Sequence, residues 1–184
     1  MRLAVISDVH GNLEALVRVL ADIDTADIDE VICLGDNIGY GPDPSGVVRR
    51  LADRGIVSLL GNHELAAGDP IYLEWFNPVA RKSLLRTMEL MDSDTLDRVT
   101  GFDRFRVDHG CRFVHGFPPD SPVTYLFQVE PEELREAFEQ NDERICFVGH
   151  THDLILVEYG AGEVRTEPLA KGMTQLRDLS LIHI

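Results

Sequence analysis

The sequence predicts a mixed α/β protein, and two observations carry that prediction. Over the first half, short apolar runs alternate with amphipathic helical segments. Later, apolar segments face each other across tight glycine-containing turns, which is the pattern of antiparallel pairs.

Leu3 to Ile6 reads as a buried strand, and Asn12 as the N-cap of a helix carrying Leu13, Leu16, Leu20 and Ile23 on one face. Val31 to Leu34 is a second run leading into a glycine-rich loop, after which Asp43 caps and Pro44 opens a helix to about Arg54. Ile56 to Leu60 is the third run. Asn77-Pro78 starts a helix with Leu84, Leu85, Met88 and Met91 on one side, within a stretch, 68–101, that reads as a helical insertion. Phe105 to Val107 and Arg112 to Val114 flank Asp108-His109-Gly110, a hairpin turn. A helix follows Pro131 with Leu134, Ala137 and Phe138 inward, and Ile145 to Val148 is another buried strand. Leu154 to Glu158 and Glu163 to Glu167 then pair across Gly160-Ala161-Gly162, and the C-terminal stretch reads as an ordinary strand. No repeat or long linker interrupts the 184 residues, so one domain over 1–184 is expected.

Composition narrows the function. Against 17 Lys and Arg stand 32 Asp and Glu, a formal charge of -15, so broad nucleic-acid binding and attachment to anionic membranes are disfavoured. A small phosphorylated substrate remains compatible if bound cations reverse the sign locally. Cys33, Cys111 and Cys146 are widely spaced in apolar runs and suggest neither a disulfide framework nor a thiolate zinc site. With no leader-like or membrane-spanning run, a cytoplasmic location is the expectation. Oligomeric state is not fixed by these residues, and a homo-oligomer is left open.

Five places combine metal-competent side chains with a glycine: Ser7-Asp8-Val9-His10-Gly11, Gly35-Asp36-Asn37, Gly61-Asn62-His63-Glu64, His115-Gly116 and Gly149-His150-Thr151-His152. Five of the seven histidines lie there, while His109 in a turn and His183 in the tail lack that context. Loops beyond the carboxyl ends of strands share one crevice in α/β sheets, so these places are expected to converge. Imidazoles, carboxylates and an amide oxygen suit borderline first-row metals, and the ligand count fits two ions better than one, with Asp36 as the bridge.

In this order the five blocks resemble the calcineurin-like metallophosphoesterase superfamily, whose pattern runs Asp-x-His, Gly-Asp, Gly-Asn-His-Asp/Glu, His and Gly-His-x-His. Gly35 to Pro42, GDNIGYGP, resembles its small prokaryotic phosphodiesterase branch. The resemblance implies two stacked mixed β-sheets flanked by helices, a four-layer sandwich. It implies one ion on Asp8, His10, Asp36 and His152 and another on Asp36, Asn62, His115 and His150. Manganese is favoured, with Fe, Co, Ni or Zn as alternatives. A metal-bridging hydroxide would attack phosphorus, with His63 near the leaving group as catalytic acid or hydrogen-bond donor. Glu64 and Asn37 would support the ligands from behind.

Two departures matter. Gly39-Tyr40 replaces the Asp-Arg pair of the family's serine/threonine phosphatases, so a phosphodiesterase is expected over a phosphoprotein phosphatase. In the tail, Gly172 to Asp178 echoes a relative's loop only at Gln175 and Arg177. The rival readings are a nucleotide pyrophosphohydrolase or phosphomonoesterase, and a non-catalytic metal-bound scaffold. Tyr72, Trp75 and Phe76 could either cover the crevice and stack a base or aryl group, or pack in the core.

Overall fold

The computed structural model describes residues 1–176 and 178–184, so Arg177 of the tail motif lies outside the described residues. Strands β1 (Leu3–Ile6), β2 (Glu30–Cys33) and β3 (Val57–Ser58) form a parallel sheet in the order β1-β2-β3. Parallel neighbours need crossovers, and helices α1 (Leu13–Ile23) and α2 (Pro44–Asp53) supply them. Asn12 caps α1 by accepting from the Ala15 N–H, and Asp43 caps α2 by accepting from the Gly46 N–H, with Pro44 in the first turn. Leu16 and Leu20 of α1 and Val47 and Leu51 of α2 then close over Cys33 on one face of this sheet.

The second sheet contains β4 (Phe105–Asp108), β5 (Cys111–Val114), β6 (Ile145–Val148), β7 (Ile155–Gly160), β8 (Glu163–Pro168) and β9 (Leu179–His183), in the order β4-β5-β6-β9-β7-β8. It is mixed, for β6 is parallel to β5 and β9 whereas the β4–β5, β7–β8 and β7–β9 pairs are antiparallel. The C-terminal strand is therefore no edge element, because β9 lies between β6 and β7. Both hairpins turn on two residues with positive φ, His109-Gly110 and Ala161-Gly162, the backbone a type I′ turn requires.

Alternation along the strands sorts side chains into layers. Ile32 of β2 and Leu34 and Leu59, just past the ends of β2 and β3, meet Cys111 and Phe113 of the second sheet, with Phe147 stacked on Phe113 at 5.2 Å. On the opposite face of the second sheet, Val114, Cys146, Val148, Val157 and Leu181 are covered by Leu134 and Phe138 of helix α6 (Pro131–Gln140). Helices, sheet, sheet and helix give the four-layer order.

Between β3 and β4 lie α3 (Asn62–Gly68), α4 (Pro78–Leu90) and α5 (Ser93–Thr100), which build a satellite core from Ala66, Leu84 and Val99 together with Ile38, Val48 and Leu73. The helical face expected in α4 is corrected at one position. The buried residues are Ala80, Leu84 and Thr87, spaced at one helical stripe, so Leu85 is turned outward and is 44% exposed. Among the described residues no helix is long and apolar enough to cross a membrane.

Candidate metal centre

The loops that follow β1 and β2 are joined by main-chain hydrogen bonds: Asp8 N–H to Gly35 C=O at 3.0 Å, His10 N–H to Asp36 C=O at 2.9 Å and Gly11 N–H to Asn37 C=O at 2.7 Å. The second sheet joins through Gly149 N–H to His115 C=O at 2.7 Å and His150 N–H to the Asp8 carboxylate at 3.1 Å. Asp8, His10, Asp36, His150 and His152 all have positive φ, between 49° and 76°. Left-handed backbone costs free energy for residues with a Cβ and persists only where its surroundings impose it. Five such residues in one cluster mark a built site.

All seven residues expected as ligands come together, with His63 beside them. Asp8, His10 and His152 present ligand atoms within 4.8 Å of one another, as do His10, Asp36 and His63, and Asp36, His115 and His150. The Asn62 amide oxygen completes the second half, 3.2 Å from His115 Nε2. Asp36 belongs to two of these groups. The Asp36 carboxylate lies 3.4 Å from His115, 3.9 Å from His10 and 3.8 Å from His63.

The tautomers suit cations. His10 Nδ1 is 3.0 Å from the Ile38 carbonyl, which can only accept, so Nδ1 carries a proton and Nε2 is the ring atom turned toward the cluster. Nε2 faces Asp8 at 3.8 Å, Asp36 at 3.9 Å and His152 Nε2 at 3.3 Å. A ring nitrogen set against two carboxylates calls for positive charge at that point, which a proton on the ring or a cation between the groups supplies. His150 repeats the arrangement, with Nε2 held to Val123 C=O at 3.3 Å and Nδ1 left for the cluster. The residues present therefore fit divalent cations.

Without ions the histidine charges partition sharply. Burial opposes charge on His115, but the Asp36 and Asp8 carboxylates beside it outweigh that and raise it to about 9. Burial also opposes charge on Asp36, yet His115 and His63 hold it well below the usual carboxylate range. His63 and His150 are pushed down to about 4, first by burial and then by neighbouring histidines. His152 is raised by its hydrogen bond to Asp8.

A family model described as calcineurin-like phosphoesterase matches residues 1–154. The chain belongs to that family. A metallophosphoesterase from Sphaerobacter thermophilus has a similar structure, with a TM-score of 0.80 and 30% identity over 100% of this chain and 75% of its own. An uncharacterised protein of Methanocaldococcus jannaschii is 32% identical over 82% of this chain and 62% of its own length. Serine/threonine-protein phosphatase 2 of Salmonella typhimurium is 29% identical over 47% of this chain and 45% of its own. The chain thus spans about half to two thirds of the curated relatives it matches. Membership in the calcineurin-like phosphoesterases implies divalent metal ions at the cluster.

The support behind the expected ligands is only partly legible in the sequence. Glu64 is fully buried and accepts main-chain N–H bonds from Asp36 at 2.9 Å, Asn37 at 2.6 Å and Gly61 at 3.1 Å, clamping the Asp36 loop to the start of α3. Burial and the facing Asp36 carboxylate push Glu64 up to about 7. Asn37 is equally buried and bridges Ser58 at 2.7 Å. Two glycines admit the close approaches. A Cβ on Gly61 would stand 2.0 Å from an Asp36 carboxylate oxygen, and one on Gly39, at φ +93°, would stand 2.1 Å from His63 Nδ1.

His63 is 3% exposed, its ring packed against Phe76 at 4.9 Å, His10 at 4.7 Å and Tyr40 at 5.0 Å and its main-chain N–H donated to the Asp36 carboxylate at 2.9 Å. His183, read as a tail residue without context, is buried. Its Nε2 accepts from the Thr151 N–H at 3.2 Å and its Nδ1 donates to the Asp153 carbonyl, bracing the loop of His150 and His152. This role follows from the place of β9 between β6 and β7, a pairing order that the sequence does not display. His109 stays outside the centre, paired with Glu30 at 2.7 Å. Tyr125, stacked on His150 at 3.7 Å, was also missed.

Proposed function

We propose that this chain hydrolyses phosphodiesters with two divalent cations, manganese favoured. Asp8, His10, Asp36 and His152 would hold one, and Asp36, Asn62, His115 and His150 the other, with Asp36 shared. Ions bound there supply a hydroxide nucleophile near neutral pH and neutralise charge on the phosphoryl oxygens. The observation that carries this reading is the convergence of His10 Nε2, two carboxylates and the further histidines in one ring of ligand atoms.

The chain's own groups supply position and one hydrogen. His63 would present an N–H to the leaving oxygen, the atom on which charge develops as the ester bond breaks. Phe76 and Tyr40 wall its ring and restrict water around it, and the missing Cβ of Gly39 leaves the ring its place. The buried Glu64 clamp fixes the Asp36 loop before substrate arrives, so no reorganisation accompanies the reaction.

The test is Mn-stimulated hydrolysis of bis(p-nitrophenyl) phosphate by the wild type and by Asp36→Asn. The reading expects release of nitrophenol by the wild type and a loss of at least about 100-fold in the variant. Equal turnover would contradict it.

A further inference from the structure

One cavity beside the centre is built differently from the rest. It has a volume of about 390 Å³, within the range of small-molecule sites, and His63 and His150 lie in its floor. Its walls carry six aromatic rings from three chain segments: Tyr40 after β2, Tyr72, Trp75 and Phe76 in a 3-10 helix (Pro70–Trp75) and the residue after it, and Tyr125 and Phe127 at a short turn after β5. On one wall the rings form a ladder. Tyr125 stacks on His150 at 3.7 Å and 22°, and Phe127 stacks on Tyr125 at 5.0 Å and 26°.

Core packing explains only part of this set. Tyr72 and Phe76 rest against the satellite core, but Trp75, Phe127 and Tyr40 are 66%, 70% and 52% exposed. Exposed apolar rings gathered at the mouth of a pocket are a feature of surfaces that take a partner. Among the described residues the lining contains no Lys, Arg, Asp or Glu. A second phosphate or a polyphosphate chain would find no compensating cation on these walls, whereas a flat, neutral ring would find faces to stack on.

Resting on the phosphodiesterase reading above, we infer that this aromatic mouth is a stacking subsite for a nucleobase, so that the substrates of the centre are nucleoside phosphate esters. The phosphoryl group lies at the His/Asp cluster, and the base enters between the Tyr125–Phe127 ladder and the Tyr72–Trp75 wall. Stacking of a base on aromatic side chains is sequence-tolerant, so the subsite selects for a base and not for one particular base.

Trp75 is the chain's one tryptophan and reports on this mouth directly. The Mn-loaded protein is titrated with adenosine 5′-monophosphate and with ribose 5-phosphate, which share the phosphate and differ in the base. Affinity is read by calorimetry and stacking by Trp75 emission. The inference expects the adenosine compound to bind about 10-fold tighter or better and to quench Trp75, within the range that base stacking supplies. It also expects Phe127→Ala to shrink the affinity ratio at least about threefold. Equal affinities and unmoved emission, in a protein whose aryl phosphodiester hydrolysis still depends on Asp36, would overturn the inference and leave the phosphodiesterase reading standing. A protein that hydrolyses no phosphoester and binds neither ligand would overturn both.

Discussion

Glu64→Gln is the sharpest probe of how the centre is held. One Glu64 oxygen accepts from the Asp36 and Gly61 N–H groups at 2.9 and 3.1 Å, and the other from Asn37 at 2.6 Å. Glutamine keeps the shape but has only one accepting oxygen, and its NH₂ must face N–H donors that it cannot satisfy. Two buried main-chain N–H groups are stranded whichever way the amide turns, those of Asp36 and Gly61 or those of Asn37 and, at 3.4 Å, Ile38. At about 1–3 kcal/mol for each unsatisfied buried group, the expected loss is about 2–5 kcal/mol. That is a large share of a typical folding stability of about 5–15 kcal/mol, and for a chain of this size it corresponds to a fall in Tm of roughly 4–20 °C. The assay is urea and thermal unfolding with chelator present, because bound metal would add its own stabilisation and mask the loss. A Tm within about 1 °C of the parent at unchanged m-value would refute the clamp.

Three further outcomes follow from the same geometry. Gly39→Ala places a methyl group 2.1 Å from His63 Nδ1 on backbone at φ +93°, so phosphodiester turnover should fall about 100-fold or more while calorimetry still finds divalent metal bound. Unchanged turnover would show that His63 is not held by this gap. His183→Leu strands the Thr151 N–H and the Asp153 carbonyl behind the loop of His150 and His152; metal affinity should drop about 10- to 100-fold, and an unaltered titration would count against the brace. Burial pushes the Cys33 and Cys146 thiols up to about 12. Thiolate is the reactive form, so at pH 8 a disulfide reagent should leave both unmodified in the native protein and count three thiols in urea; their rapid modification in the folded state would contradict the burial.

What the sequence discloses divides along a physical line. The caps at Asn12 and Asp43, the strand of Ile145 to Val148 and the two glycine hairpins depend on neighbouring residues, and the structure contains them as read. The five histidine and aspartate blocks were legible because each places its chemistry beside a glycine in a strand-end loop. Long-range order was not. Insertion of β9 between β6 and β7, and with it the bracing role of His183, is a choice among strand pairings that local pattern leaves free. Apolar character alone does not say which stripe of a helix meets a core, so Leu85 of α4, expected inward, faces outward. Tyr125 and Phe127 carry no motif. Only the folded chain sets them against His150 and the Trp75 segment.

Counting metal on the purified protein tests the central claim most directly. Elemental analysis of Mn-reconstituted, desalted protein should find two ions per chain, and the same treatment of Asp36→Asn should lose one or both because the shared carboxylate serves the two halves. Protein that retains no ion, or an Asp36→Asn variant that holds metal as well as its parent, would contradict the account.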